Sequence, residues 1–411
     1  MHCLPGLARN DVGGERVLTS LERQVLDLID SQEVIVLSSR MVQTESWDSN
    51  EAKMVDIVAD YLAAAKISIE VHEVSPHRSN VVARVGSGTP KRTLVYSGHM
   101  DSAPPGDPAT WREATPFSGL VRDGRLYGRG ASDDKGGLAG MVVALSALKK
   151  SGVELDGELV LAAVCGEVQG NIGARALAAQ GLRGDFGVVA EYSYANQLAT
   201  CYRGALWSEV VLTGRSAHTG RPKQGVDTIK AAVNHVIPVI WEIGEQAPPH
   251  PLLQAFEPII GVNMIKGGSA TNMIPDRCEM VLDARFPPSV RVHDLETRIA
   301  EGLRRCETLV PGLKTAIRRL HAVEGYEVAS DHPIVRLLRR TIGELTKQDE
   351  APVMGKAGFS DANVFVEEVG FPAVAYGPGN STGHGPDEYV DVHALATAAK
   401  VYSLFAMRFL S

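Results

Sequence analysis

The sequence predicts an α/β protein: a largely parallel-sheet domain interrupted by a smaller inserted domain of split-βαβ, ferredoxin-like pattern. Three observations predict it. Apolar strand-like runs alternate with helical stretches toward both ends of the chain, the arrangement of a sheet covered by helices. Between about Gly204 and Leu320 the order becomes strand, helix, strand, strand, helix, strand. The 411 residues, 44% of them hydrophobic, are too many for one ordinary core.

The first stretch, Glu15 to about Ala65, reads as helices, because Val17, Leu21, Val25, Leu28 and Ile29 recur at helical spacing. Strands are expected at Asn80–Val85, Thr93–Ser97, Glu158–Val164, Phe186–Ala190 and Ala373–Tyr376, with helices such as Gly137–Lys150 and Gly173–Gln180 between them. In the insert the expected elements are strand Leu206–Leu212, helix Val226–Ile243, strands Ile259–Ile265 and Cys278–Ala284, helix Val292–Cys306 and strand Leu313–Arg319. The Pro-rich piece Gln246–Pro251 reads as a loop. The expected catalytic domain is therefore discontinuous, residues 1–203 and 321–411, and residues 204–320 form a lid and dimerisation domain. Its pattern leaves an edge strand and a helix face that a second copy would cover, so a homodimer is expected.

Composition narrows the function. Charged residues are 22% of the chain and the formal net charge is −8, with no concentrated Lys/Arg stripe. That pattern fits neither a disordered chain nor a nucleic-acid binder. The apolar runs are strand-sized, too short to span a bilayer. Cys3, Cys165, Cys201, Cys278 and Cys306 are scattered and show no CxxC spacing. They read as small buried hydrophobes in a reducing compartment. The opening Met1-His-Cys-Leu-Pro-Gly lacks the basic stretch and apolar core of an export leader, so a cytoplasmic location is expected.

Four candidate metal ligands follow separate strand-like runs: His99, Glu167, Glu191 and His384. In open α/β sheets the ligand crevice lies beyond the carboxyl ends of the strands. Imidazole and carboxylate delivered there from several strands can converge on one divalent cation. Gly128-Arg-Gly130 is no dinucleotide fingerprint, because Asp133 and Asp134 would repel a pyrophosphate, and Gly377–Gly383 has no Walker lysine. The latter reads as a substrate-facing loop with backbone amides available to a carboxylate.

Ser97-Gly98-His99-Met100-Asp101, Pro104-Pro105-Gly106-Asp107, Trp111, Pro116-Phe117 and the run Gly124 to Gly137 resemble the signature block of the M20 family. Gly214 to His218, Gly267 to Asn272, Ser360-Asp361 and His384 to Val390 follow in order, so the resemblance spans nearly the whole chain. The family includes carboxypeptidase G2, acetylornithine deacetylase, succinyl-diaminopimelate desuccinylase and aminoacylase-1. The resemblance implies two metal ions bridged by one aspartate: His99, Asp133 and Glu191 at the first, Asp133 and His384 at the second. It implies that Asp101 receives a hydrogen bond from the other ring nitrogen of His99, fixing its tautomer. Glu167 matches the general base, taking a proton from the attacking water and returning it to the leaving nitrogen. His218 matches the residue that polarises the scissile carbonyl, often in the partner subunit's site. Asn272 and Arg285 match contacts to the substrate's polar end, Arg285 through its planar fork. Ser360 and Gly379 are the remaining substrate contacts that the resemblance suggests.

One position departs from the pattern. Where the family has two adjacent acids, the second a ligand of the second ion, this chain reads Glu167-Val168-Gln169. Valine cannot coordinate, and a Gln169 amide oxygen is a weaker donor than a carboxylate. The expectation is therefore about one tightly bound Zn²⁺ or Mn²⁺ per chain. The expected activity is hydrolysis of a C–N bond in a small carboxylate-bearing substrate, an N-acyl amino acid or dipeptide. Two alternatives stand beside it: hydrolytic deamination of an aromatic amine, as in the 5-nitroanthranilate aminohydrolase branch, and a non-catalytic, metal-poor binding protein. Retention of Glu167 argues against the last, since a pure binder has no need of a positioned base.

Overall fold

The structure, a computed structural model, describes residues 18–256 and 259–411. Expectations for Glu15 to Val17 and for Cys3 fall outside them. By its contacts the chain divides into two compact units, one of them Cys201–Glu327 with Met354–Phe359 and the other the rest of the chain.

In the larger unit the first stretch is three helices, Ser20–Asp27, Ser31–Val42 and Ala52–Ala64. Val25 and Ile29 are buried as their spacing predicts, but Leu21 and Leu28 are exposed. The reason is a break: Thr19 caps the first helix and Asp30 caps the second, so the apolar stripe restarts on a new axis. The sheet runs in the order Ile69–Ser75, Arg78–Gly86, Glu158–Val164, Thr93–His99, Phe186–Val189, Ala373–Ala375, Leu198–Tyr202. Its four central strands, from Glu158–Val164 to Ala373–Ala375, are parallel. The strands flanking them pair antiparallel, so the sheet is parallel at its centre and mixed at its margins. Thr93–His99 is buried on both faces beyond its first residue, as a continuous apolar run in a parallel sheet requires. Two strands carried no usable signal in the sequence. Ile69–Ser75 is a half-exposed edge and Leu198–Tyr202 is a short buried run between loops.

Helices Gly136–Ser151 and Val392–Leu410 pack on each other and against the central strands. Two glycines permit the approach. A Cβ at Gly137 would lie 2.4 Å from the Ala190 carbonyl oxygen, and one at Gly98 would lie 3.1 Å from the Leu138 Cβ. The helix therefore sits directly against the strand end that delivers His99. Among the described residues no helix is long and apolar enough to cross a membrane.

The second unit is a four-stranded antiparallel sheet in the order Ile259–Gly267, Arg277–Phe286, Gly204–Thr213, Lys314–Val323. With helices after Gly204–Thr213 and after Arg277–Phe286, it has the split-βαβ connectivity predicted. Gly204–Thr213 and Arg277–Phe286 alternate buried with half-exposed residues, so one face packs a core and the other does not. Helix Val292–Leu309 buries Val292, Leu295, Ile299, Leu303 and Cys306, spaced at three and four, against Val210, Met280 and Leu282. The expected helix Val226–Ile243 is two segments, Thr228–Ala231 and Ile237–Glu245, joined by one wider turn. Cys165, Cys201, Cys278 and Cys306 are buried free thiols.

Candidate functional site

The parallel strands deliver the site. His99 ends Thr93–His99 and pairs in register with Val164 of the neighbouring strand. Glu167 lies in the loop after that neighbour, and Glu191 follows Phe186–Val189. His99, Glu167 and Glu191 are all buried, and each offers one donor atom within 4.8 Å of the others. Asp133 stands between two imidazoles. Its Oδ1 is 3.0 Å from His99 Nε2, and its Oδ2 is 3.2 Å from His384 Nε2. The convergent set therefore includes Glu167 beside His99 and Glu191, while Asp133 joins them through His99 and ties in His384. His384 is the open member, its side chain 59% exposed.

Asp101 is fully buried beneath this set. His99 Nδ1 is 3.0 Å from the Asp101 carbonyl oxygen and 3.4 Å from its carboxylate. The nearest acceptor for that ring nitrogen is thus the backbone carbonyl. The Asp101 carboxylate instead accepts the backbone N–H groups of Glu167 at 3.1 Å and Val168 at 3.0 Å. Asp101 therefore orients both His99 and the loop that carries Glu167.

Charge is tightly crowded here. Burial pushes the Glu167 carboxyl well above the usual range; His99 opposes this, while Glu191, Asp361 and Asp133 add to it. Burial, opposed by His99 and reinforced by Asp133, pushes Asp134 up to about 7. For Asp133, burial acts upward too, but the two histidines hold it well below the ordinary carboxylate range. Burial works against the His99 imidazolium, yet Asp134, Asp101 and Asp133 outweigh it. A site with more buried carboxylates than positive groups is one that a divalent cation would neutralise, so the donor set fits a metal ion.

Two residues to which the sequence reading assigned no role hold the backbone behind Asp133. The Glu388 carboxylate accepts from the N–H groups of Gly130, Ser132 and Asp133, and pairs with Arg129. Arg129 also donates to the His384 carbonyl oxygen at 3.1 Å. Both lie inside the quoted motifs. Their role was invisible there because it depends on segments more than 250 residues apart.

Several residues expected to make contacts have other partners in the structure. The Gln169 amide oxygen accepts from Arg78 Nη2 at 2.6 Å, so it is committed away from the metal ligands. Ser360 is fully enclosed at the start of helix Asp361–Val364, its N–H bonded to Asn363 Oδ1, and presents no surface to a substrate. Gly379 is a close-approach glycine: a Cβ there would lie 2.1 Å from the Ser132 carbonyl oxygen, and its own carbonyl accepts from Tyr194. Of the loop amides expected to meet a carboxylate, those of Gly377 and Asn380 donate instead to the hydroxyls of Ser193 and Ser132. In the second unit, the Arg285 fork is occupied by Asp283, at 2.8 Å from Nε and 3.1 Å from Nη2.

His218 and Asn272 are exposed and adjacent within the second unit. His218 pairs in register with Met273, and Thr219 N–H donates to the Asn272 carbonyl. His218 Nδ1 accepts from the Gly220 N–H at 3.0 Å. With Nδ1 accepting, the ring nitrogen left to donate is Nε2.

Comparison with known proteins follows the same residues. The sequence model for peptidase family M20/M25/M40 matches residues 95–408. The chain is 30% identical over 373 residues to an acetylornithine deacetylase of Proteus mirabilis, covering 87% of this chain and 92% of that protein. A tripeptidase from Staphylococcus aureus superposes with a TM-score of 0.76 at 21% identity, covering 93% of this chain and 99% of that one. The Bacillus subtilis YXEP protein, described as a dinuclear metal-binding peptidase, gives a TM-score of 0.70 at 16% identity, covering 92% and 98%. At these identities the two structures show a shared fold.

Proposed function

Because this chain belongs to peptidase family M20/M25/M40 it is a hydrolytic enzyme, and we propose that it cleaves the C–N bond of a small carboxylate-bearing amide, an N-acyl amino acid or dipeptide. The observation that carries the proposal is the convergence of His99, Glu167 and Glu191 within 4.8 Å, with Asp133 set between His99 and His384. A divalent cation, Zn²⁺ or Mn²⁺, would be held by His99, Asp133 and Glu191. When bound it lowers the pKa of water to about 7 and polarises a carbonyl.

The chain's own residues supply the rest. Asp101 fixes His99 and the loop amides; Glu388 fixes the segment that presents Asp133. Glu167 takes a proton from the attacking water as oxygen bonds to the carbonyl carbon, then gives it to the nitrogen as the C–N bond breaks. The Nε2–H of His218 suits a donor to the developing oxyanion, an interaction worth typically about 2.7–4 kcal/mol. Asn272 lies beside it and is proposed to meet the substrate's polar end.

We place dimerisation in the inserted unit, at its edge strand Ile259–Gly267, where Met264 is 65% and Ile265 52% exposed. Unpaired edges with apolar residues are normally covered. Under this reading His218 serves the partner subunit's site. Mixing Glu167→Gln with His218→Ala protein should restore up to about a quarter of wild-type activity on statistical grounds, once subunits exchange. Exchange without any rescue would refute the trans arrangement.

Val168 favours a second reading, hydrolytic removal of an amino group from an aromatic ring, since an altered metal environment suits an altered leaving group. Dialysis followed by metal add-back, assayed on a panel of N-acyl amino acids, dipeptides and aminobenzoates, decides between them. Turnover of amides alone supports the first reading and of aminobenzoates alone the second. Turnover of neither under any divalent metal refutes both substrate readings.

A further inference from the structure

The loop Gly166 to Asn171 carries Glu167, and its backbone is tied at several points. Asp101 accepts the Glu167 and Val168 amides, and the Glu167 carbonyl accepts the Gly170 and Asn171 amides at 2.9 and 3.0 Å. Arg175 Nη1 also donates to the Gly170 carbonyl at 3.3 Å, and all of these ties hold backbone, leaving the Gln169 side chain to a partner of its own. The amide oxygen of Gln169 meets Arg78 Nη2 at 2.6 Å.

Arg78 is built in to make that contact. Its side chain is 7% exposed and that of its partner Glu51 is fully buried. Arg78 Nε lies 3.1 and 3.0 Å from the two Glu51 oxygens, and Nη2 bonds Glu51 as well. Such a bidentate pair fixes the plane of the guanidinium and so the direction of its remaining N–H groups. The loop backbone also closes onto it: Gly166 has φ +65°, and a Cβ there would lie 2.6 Å from Arg78 Nη2. A buried ion pair contributes little net stability against an apolar replacement, so its worth lies in what it orients.

We propose that Arg78, braced by Glu51 and acting through Gln169, is a positioning residue that holds the Glu167 loop in its working geometry. It contacts no reacting atom. The inference rests on Glu167 being the base. A displacement of about 1 Å in a catalytic group costs about a hundredfold in rate, and Glu167 is the group this loop carries. Loosening the Gln169 tie therefore lowers kcat and spares KM.

The test uses the full-length, metal-loaded protein. Gln169→Ala removes the tie without exposing the ion pair. It should lower kcat about ten- to a hundredfold, leave KM within about twofold and leave metal content unchanged. Gln169→Glu keeps an acceptor for Arg78 and should restore most of the lost turnover. Glu51→Met with Arg78→Met removes both charges together, avoiding a lone buried charge, and should reproduce the Gln169→Ala kinetics. A readout independent of substrate is hydrogen exchange of peptides covering residues 166–171, which should quicken about tenfold in Gln169→Ala with the rest of the chain unaltered. Unchanged exchange in the loop overturns the inference, as does a loss carried by KM rather than kcat. Faster loop exchange in a protein whose wild type turns over nothing leaves the tie standing and overturns only the hydrolytic reading.

Discussion

Glu167→Gln should retain the fold and the bound metal while kcat falls about 10²–10⁴-fold, equivalent to roughly 2.7–5.5 kcal/mol in the barrier. Glutamine keeps the shape of glutamate but cannot take a proton. The local backbone does not depend on the carboxylate, because the Glu167 and Val168 amides are held by Asp101. Burial already disfavours the Glu167 charge, and Glu191, Asp361 and Asp133 add to that, so losing it relieves repulsion rather than creating a defect. Circular dichroism and elemental analysis should match wild type while steady-state turnover collapses. Near-normal turnover in this variant would falsify the assignment of Glu167 as the base.

Metal stoichiometry carries the other large expected effect. Wild-type protein should hold about one Zn²⁺ or Mn²⁺ per chain after gel filtration, and Val168→Glu should raise this toward two. Two dications about 4 Å apart repel by roughly 16 kcal/mol at an effective dielectric near 20, a cost that shared carboxylates ordinarily offset. A first ion here would have His99, Asp133 and Glu191, enough to leave an open position. A second would have His384 and a share of Asp133 beside an apolar Val168. Gln169, the neutral donor the sequence offers there, is engaged by Arg78. Wild-type protein that keeps two ions through dialysis would show the single-ion expectation to be wrong.

The amino-acid sequence by itself determined the α/β class, the split-βαβ insert and the identity of the convergent side chains. Each of these is written locally. Continuous apolar runs such as Leu94 to Tyr96 mark buried parallel strands, and the spacing of Leu295, Ile299 and Leu303 marks one helical face. His99, Glu167 and Glu191 follow strands whose carboxyl ends must share one edge of a parallel sheet, so their convergence could be argued before any coordinates. What the sequence could not carry was the choice each polar group makes among several partners. Arg285 reads as a carboxylate binder, and its Nε and Nη2 bond Asp283. Gln169 reads as a spare metal donor, and it bonds Arg78 from a strand 91 positions earlier. Gly379 and Ser360 read as substrate contacts, and packing against Ser132 and enclosure at a helix start account for them. Glu388 carries no role legible in the sequence, and it holds the backbone of Gly130, Ser132 and Asp133. Hydrophobic periodicity is a property of neighbours along the chain, so it survives in the sequence. A buried hydrogen bond is decided by which distant groups are left without water at one point in space, and only the tertiary structure decides that.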